Sequence, residues 1–139
     1  MQNLLLSLST VRASGKHAGI YSICSAHPWV IEAAIRQATK DGGFLLIEAT
    51  SKQVTHTGGY IGMTPLEFRA FVFEQADRLG FERSRLLLGC DHLGPNPWKH
   101  LDASAAMEHA KETVRQYVQA VSAKLISTPV WPVQMMQQT

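Results

Sequence analysis

The stretch Arg85–Asn96, RLLLGCDHLGPN, decides the fold class of this 139-residue chain. Three consecutive leucines precede Gly89, and an acid and an imidazole, Asp91 and His92, come shortly before a Gly-Pro-Asn turn. A short apolar run bounded by turn residues is typical of a strand that is buried on both faces of a parallel sheet. The loops after such strands carry the chemistry in α/β barrels. The stretch therefore predicts a strand that delivers Asp91 and His92 to a functional edge.

The same layout occurs twice upstream. Residues Ile20–Ser25 and Phe44–Glu48 are short apolar segments, and polar residues follow each of them. Helices are predicted after Pro28, after an N-cap at Thr64, and over about 102–119, because each of these segments carries an apolar stripe at helical spacing. The order is β-α-β-α-β-α.

This order predicts an α/β fold, the N-terminal part of a (β/α)8 TIM barrel with about three βα units, incomplete because a closed barrel has eight. Half of a Rossmann fold would have the same order. However, no Gly-x-Gly-x-x-Gly follows the first strand, and polar residues follow every strand instead. We therefore favour the barrel.

Composition excludes several function classes. The chain is 45% hydrophobic and 17% charged with a net charge of +2, and it has no basic run, so no nucleic-acid partner is expected. No segment reaches the roughly 20 apolar residues of a membrane span, and no secretory leader is evident, so a cytoplasmic protein is expected. Cys24 and Cys90 lack metal-type spacing and are expected to be reduced core residues.

The repeating pattern is expected to stop after Ala120. Residues 1–120 are predicted to form the partial barrel, and 121–139 an aberrant, disordered tail that ends in Met-Met-Gln-Gln-Thr. One inserted nucleotide before the Val121 codon, with free synonymous choice, lets the shifted frame read GFSKI, Asp or Asn, then LDTSMACADDAT. That string is a Gly-led apolar strand, so a frameshift product is one interpretation of the tail.

Polar residues at the three strand ends are the candidate site. Asp91 is the candidate catalytic residue, as a proton donor or acceptor, and His92 is the candidate metal ligand. A single histidine gives only one of the three or more ligands of a catalytic zinc. The candidate substrate-binding rim consists of Ser25, His27, Glu48, Ser51, Gln53 and Asn96.

Structural interpretations of the same residues stay open. His27 precedes Pro28 and is also typical of a turn or a helix start. Glu48 could equally cap its loop or pair with Lys52. The glycines within 57–63 either allow tight turns or leave backbone amides free to bind a phosphate.

Three segments together resemble one family: HAGIYSICSAHPWVIEAAIRQA, LLIEATSKQVTHTGGYIGMTPLEFRAFVF and LLLGCDHLGPNPW. It is the non-catalytic, Z-type subunit of class II D-tagatose-1,6-bisphosphate aldolase, and the resemblance covers roughly residues 15–120. It implies a (β/α)8 barrel that supports a zinc-bearing catalytic subunit. That partner cleaves tagatose 1,6-bisphosphate, a sugar phosphate, to glycerone phosphate and glyceraldehyde 3-phosphate in galactitol or N-acetylgalactosamine catabolism.

The resemblance also assigns residues. Asp91 and His92 stand where catalytic relatives carry an Asp that transfers protons and a His that binds zinc. The following residues 93–96, LGPN, match the accessory subunits instead, so no cofactor is expected for this chain and the zinc belongs to the partner. Lys52 and Cys90 replace an expected Asn and Gly, and His56 is atypical.

The resemblance predicts an accessory subunit that is not active alone. Because the chain supplies only three of the eight strands of a barrel, its support of the catalytic subunit is expected to be impaired. One alternative is a metal-dependent sugar-phosphate aldolase or lyase in its own right, using Asp91 and His92. The other is a tagatose 6-phosphate kinase, although the chain has no Gly-x-x-x-x-Gly-Lys-Ser/Thr motif.

Overall fold

A computed structural model of the chain describes residues 2–17, 19–121 and 125–127, with only the backbone course for 2–7, 121 and 125–127. Helices and strands alternate after an N-terminal helix. Two short 3-10 helices, Arg83–Arg85 and Asn96–Trp98, flank the third strand. The elements are α1 (Gln2–Ala13), β1 (Ser22–Cys24), α2 (Pro28–Asp41), β2 (Leu45–Thr50), α3 (Pro65–Arg78), β3 (Leu86–Asp91), α4 (Ala103–Val121) and β4 (Leu125–Ser127).

The four strands form one parallel sheet in the order β1-β2-β3-β4. Register pairs Cys24 with Glu48 and Thr50 with Asp91 across neighbouring strands. The carboxyl ends of β1, β2 and β3 therefore meet at one edge, as the sequence predicts. The α/β class with a parallel sheet is confirmed.

Local signals fix where the helices begin. Pro65 occupies the first turn of α3, the Thr64 hydroxyl accepts a hydrogen bond from the Glu67 N–H, and the Glu67 carboxylate accepts one from the Thr64 N–H. Pro28 opens α2 in the same way, and Gly42 ends it with φ 65°. These boundaries agree with the sequence prediction because caps depend on adjacent residues.

One face of the sheet carries the main core. Strand residues Leu45, Ile47, Leu86 and Leu88 belong to the same buried cluster as apolar residues of α2, α3 and α4. The helical members include Ile31, Ile35, Phe68, Val72, Tyr117 and Ala120. Because side chains alternate along a strand, three helices that share this cluster lie on one face of the sheet.

The structure corrects three predictions at the chain ends. Helix α1 covers Gln2–Ala13, a segment for which the sequence analysis predicts no element. Strand β1 is only three residues long. Strand β4 pairs with β3 in parallel, so the expectation that the pattern stops after Ala120 is wrong for Leu125–Ser127. The predicted disorder of 122–124 and 128–139 falls outside the described residues.

None of the described helices has the length and apolar character needed to cross a bilayer.

Candidate functional site

Three side chains from three strands converge at the carboxyl edge of the sheet. The Cys24 thiol and the carboxylates of Glu48 and Asp91 each place a ligand-type atom within 4.8 Å of the others. We call these residues the strand-end trio. They stand at or near the ends of β1, β2 and β3, on the face of the sheet opposite the helix-packed residues Ile47 and Leu88. The prediction that Glu48 and Asp91 share an edge is confirmed.

Cys24 is the member that sequence reasoning missed. The cysteine was expected in the core, but its side chain is exposed, whereas Cys90 is buried as expected. Partial burial of the Cys24 thiol raises its pKa, and the nearby carboxylates of Glu48 and Asp91 raise it further. The thiol is therefore protonated at neutral pH. Alternation with Ile23, which packs against the core, is the signal that could have placed Cys24 on the opposite face.

Asp91 and His92 form a close pair. The His92 Nδ1 atom lies 2.5 Å from the Asp91 Oδ2 atom, with the His92 side chain 65% exposed and the Asp91 side chain 19% exposed. His92 has φ 54°, an uncommon backbone conformation for a residue other than glycine. The pair points the imidazole outward, and His92 does not belong to the trio.

Ser25 and His27 are occupied with the start of α2. The Ser25 hydroxyl accepts a hydrogen bond from the His27 N–H at 3.1 Å, and the His27 Nδ1 atom accepts one from the Trp29 N–H at 3.3 Å. His27 is therefore the N-cap of α2. These hydrogen bonds support the interpretation of His27 as a residue of the helix start, and they explain its position without a ligand.

Ser51 and Gln53 shape the loop that follows β2. The Gln53 side-chain oxygen accepts a hydrogen bond from the Thr50 N–H at 2.8 Å. Ser51 is 4% exposed, and its N–H donates to the Asp91 backbone oxygen at 3.2 Å. Asn96 is exposed at the start of the second 3-10 helix. The structure thus brings Ser51 and Gln53 next to the trio strands through backbone contacts.

The glycine-rich part of this loop folds on itself. The Gly59 N–H donates to the Thr55 hydroxyl, the Tyr60 N–H to the Lys52 oxygen, and the Met63 N–H to the Gly58 oxygen. These amides are already used within the loop. The tight-turn interpretation of the glycines is therefore correct, and the phosphate-cradle interpretation is wrong for these amides.

Comparison with known proteins places this geometry in a family. Residues 5–127 match the family described as D-tagatose-1,6-bisphosphate aldolase subunit GatZ/KbaZ-like. The GatZ subunit of Escherichia coli strain K12 is 54% identical over 112 residues, which are 81% of this chain and 27% of that protein. The GatZ subunit of Shigella boydii serotype 18 gives the same identity and coverage. The chain belongs to the GatZ/KbaZ-like family.

A solved structure agrees with this assignment. The crystal structure of a probable tagatose 6 phosphate kinase from Sinorhizobium meliloti 1021 has a TM-score of 0.74 and 54% identity, over 79% of this chain and 28% of that one. This GatZ/KbaZ-like chain thus spans about a quarter of the length of the relatives it matches.

The donor set at the edge of this GatZ/KbaZ-like sheet does not fit a preformed catalytic zinc site. Within the described ranges, the trio is the one group of three or more potential ligands, and it contains no histidine. Catalytic zinc sites commonly include at least one histidine, and the trio supplies none.

Proposed function

We propose that this chain provides the first part of an accessory subunit that supports the catalytic subunit of class II tagatose-1,6-bisphosphate aldolase. The single observation that carries the proposal is the 54% identity to curated GatZ subunits over 81% of the chain. Identity at this level over several successive strand–helix units supports a shared role. In this proposal the sugar phosphate is cleaved in the partner, in the cytoplasm, during galactitol or N-acetylgalactosamine catabolism.

The barrel is part of the same proposal. Strands in sequential order with three helices on one face support a singly wound sheet, because a doubly wound sheet has helices on both faces and reverses its strand order. A (β/α)8 barrel continues this winding until the sheet closes. The remaining strands would come from the length of the relatives that this chain does not span.

The donor set supports an accessory role over a self-sufficient lyase. Asp91 and Glu48 can hold or exchange protons at the edge of the sheet, but the trio does not present the histidines that a catalytic zinc takes in many enzymes. We propose that the zinc, and with it the carbon–carbon bond cleavage, belongs to the partner. The chain's own residues would shape and stabilise the surface beside it.

An activity assay tests the proposal. The catalytic subunit is incubated at 37 °C alone, with this chain, or with full-length GatZ of Escherichia coli as the positive control, and cleavage of tagatose 1,6-bisphosphate is followed over time. We expect this chain to slow the loss of activity, by less than full-length GatZ does, and to show no cleavage by itself.

The alternative functions predict different activities of the purified chain. Cleavage by the purified chain alone, with stoichiometric zinc, would establish a lyase in its own right. ATP-dependent phosphorylation of tagatose 6-phosphate would establish a kinase. Decay of the catalytic subunit at the same rate with and without this chain would contradict the accessory role.

A further inference from the structure

A second cluster of side chains lies away from the strand-end trio and joins two loops to a helix. His56 of the β2–α3 loop and Trp98 of the second 3-10 helix pack against His109 of α4. Thr113, one helical turn after His109, completes the cluster and is 2% exposed. We call these four residues the histidine clasp. The proposed function does not use it.

The rings of the clasp are stacked. Ring centroids are 5.1 Å apart for His56 and His109, and 5.2 Å apart for Trp98 and His109, with interplanar angles of 27° and 13°. Trp98 is 8% exposed and packs in a buried cluster with Ala106 and Ala110 of α4. The clasp therefore fixes both loops on the same face of α4.

Hydrogen bonds fix how many protons the clasp accepts. The His56 Nδ1 atom lies 2.8 Å from the Thr113 hydroxyl, which can donate or accept, and the His56 Nε2 atom lies 3.1 Å from the His109 Nδ1 atom. One hydrogen fits between two ring nitrogens at this distance. If both imidazoles were protonated, two N–H groups and two positive charges would face each other.

The surroundings of His56 also disfavour its protonation. Burial lowers the pKa of His56, the neighbouring His109 lowers it further, and Glu112 on the same helix opposes the shift. Glu112 is itself bound by Arg115 and Gln116, which hold its pKa at about 2, so it stays ionised. Trp98, the neighbour from the 3-10 helix, does not titrate, and the adjacent Lys99 and His100 are exposed.

We propose that the histidine clasp is a proton-sensitive latch that holds the β2–α3 loop and the second 3-10 helix on α4 until both imidazoles are protonated. The direction of the pH dependence follows from the linkage between proton binding and folding. A histidine with a folded-state pKa below its usual 6.5 binds a proton more readily in the unfolded chain, so its stabilisation is complete above that value and is lost as the pH falls. The released loop is the one that carries Ser51 and Gln53.

Nuclear magnetic resonance of the full chain with carbon-13-labelled histidines tests the latch. The six histidines are titrated from pH 8 to pH 5, and the exchange of the Gly59 amide is followed with correction for its intrinsic pH dependence. We expect two coupled histidines whose second proton binds about tenfold more weakly than the first. Protection of the Gly59 amide should fall with that second step.

Two matched variants test whether the coupled histidines are those of the histidine clasp. In His109→Gln the weakly binding step should disappear, whereas His100→Gln, which changes an exposed neighbour, should leave both steps in place. The wild-type titration decides the question even if a variant does not fold. Six independent titrations, or a Gly59 amide whose protection is unchanged across the titration of His56 and His109, would overturn the latch.

Discussion

At the scale of single residues, the pKa of the Cys24 thiol is raised first by partial burial and then by the neighbouring Glu48. The carboxylate raises the pKa of the thiol, so Glu48→Gln should lower it and increase the thiolate fraction at neutral pH. We expect alkylation of Cys24 by iodoacetamide at pH 7.5 to become about threefold faster, because the thiolate is the form that reacts.

The second cysteine does not obscure this measurement. Cys90 is 1% exposed and burial raises its pKa to about 12, so it reacts slowly in the folded chain. Glu82→Gln removes an exposed carboxylate elsewhere and serves as the control, with no change expected. An alkylation rate that is unchanged or slower in Glu48→Gln would show that the two side chains do not interact.

Residue types alone predicted part of the site. Glu48 and Asp91 were identified because each stands at or just after the end of a short apolar run, at the edge where parallel strands place their chemistry. Cys24 was missed because the two cysteines were judged by their spacing, whereas alternation with the core-packed Ile23 would have placed Cys24 on the opposite face. The contact of His56 with His109 spans 53 positions, and no local pattern encodes it.

At the scale of elements, Gly59 fixes the loop between β2 and α3. Its φ is 57°, and a Cβ atom there would lie 2.2 Å from the Gln53 backbone oxygen. Gly59→Ala should therefore lower the free energy of unfolding by about 3 kcal/mol, through backbone strain and this clash. Urea denaturation followed by circular dichroism measures the change.

Gly62 provides the matched control. Its φ is 74°, but no atom lies within 4 Å of the Cβ position, so Gly62→Ala should cost only the strain of about 1 kcal/mol. Equal losses in the two variants would show that the close approach of Gly59 to Gln53 does not exist in solution.

Elements with local signals were predictable and the others were not. Thr64, Glu67 and Pro65 specify the start of α3 among adjacent residues, and the boundary agrees. Strand β4 has three residues and exists through pairing with β3, which is a tertiary contact. Helix α1 was missed because its segment was judged only as a candidate leader.

At the scale of the whole molecule, the account depends on strand order. If β1, β2 and β3 are parallel neighbours in sequence order, their carboxyl ends meet at one edge and the strand-end trio follows from the register. If the order differs, then neither the trio nor the proposed winding of the barrel holds. Family membership does not depend on this geometry, since it follows from the sequence match over residues 5–127.

Disulfide trapping measures that order directly. Cys24 and Glu48 are register partners on neighbouring strands, which lie about 4.8 Å apart, within the Cα separation that a disulfide spans. Glu48→Cys in a Cys90→Ser background should therefore form an intramolecular disulfide on mild oxidation, detected by mass spectrometry. Lys52→Cys, exposed beyond the strand end, should leave its thiols free. A folded Glu48→Cys chain that keeps both thiols free would contradict the strand order.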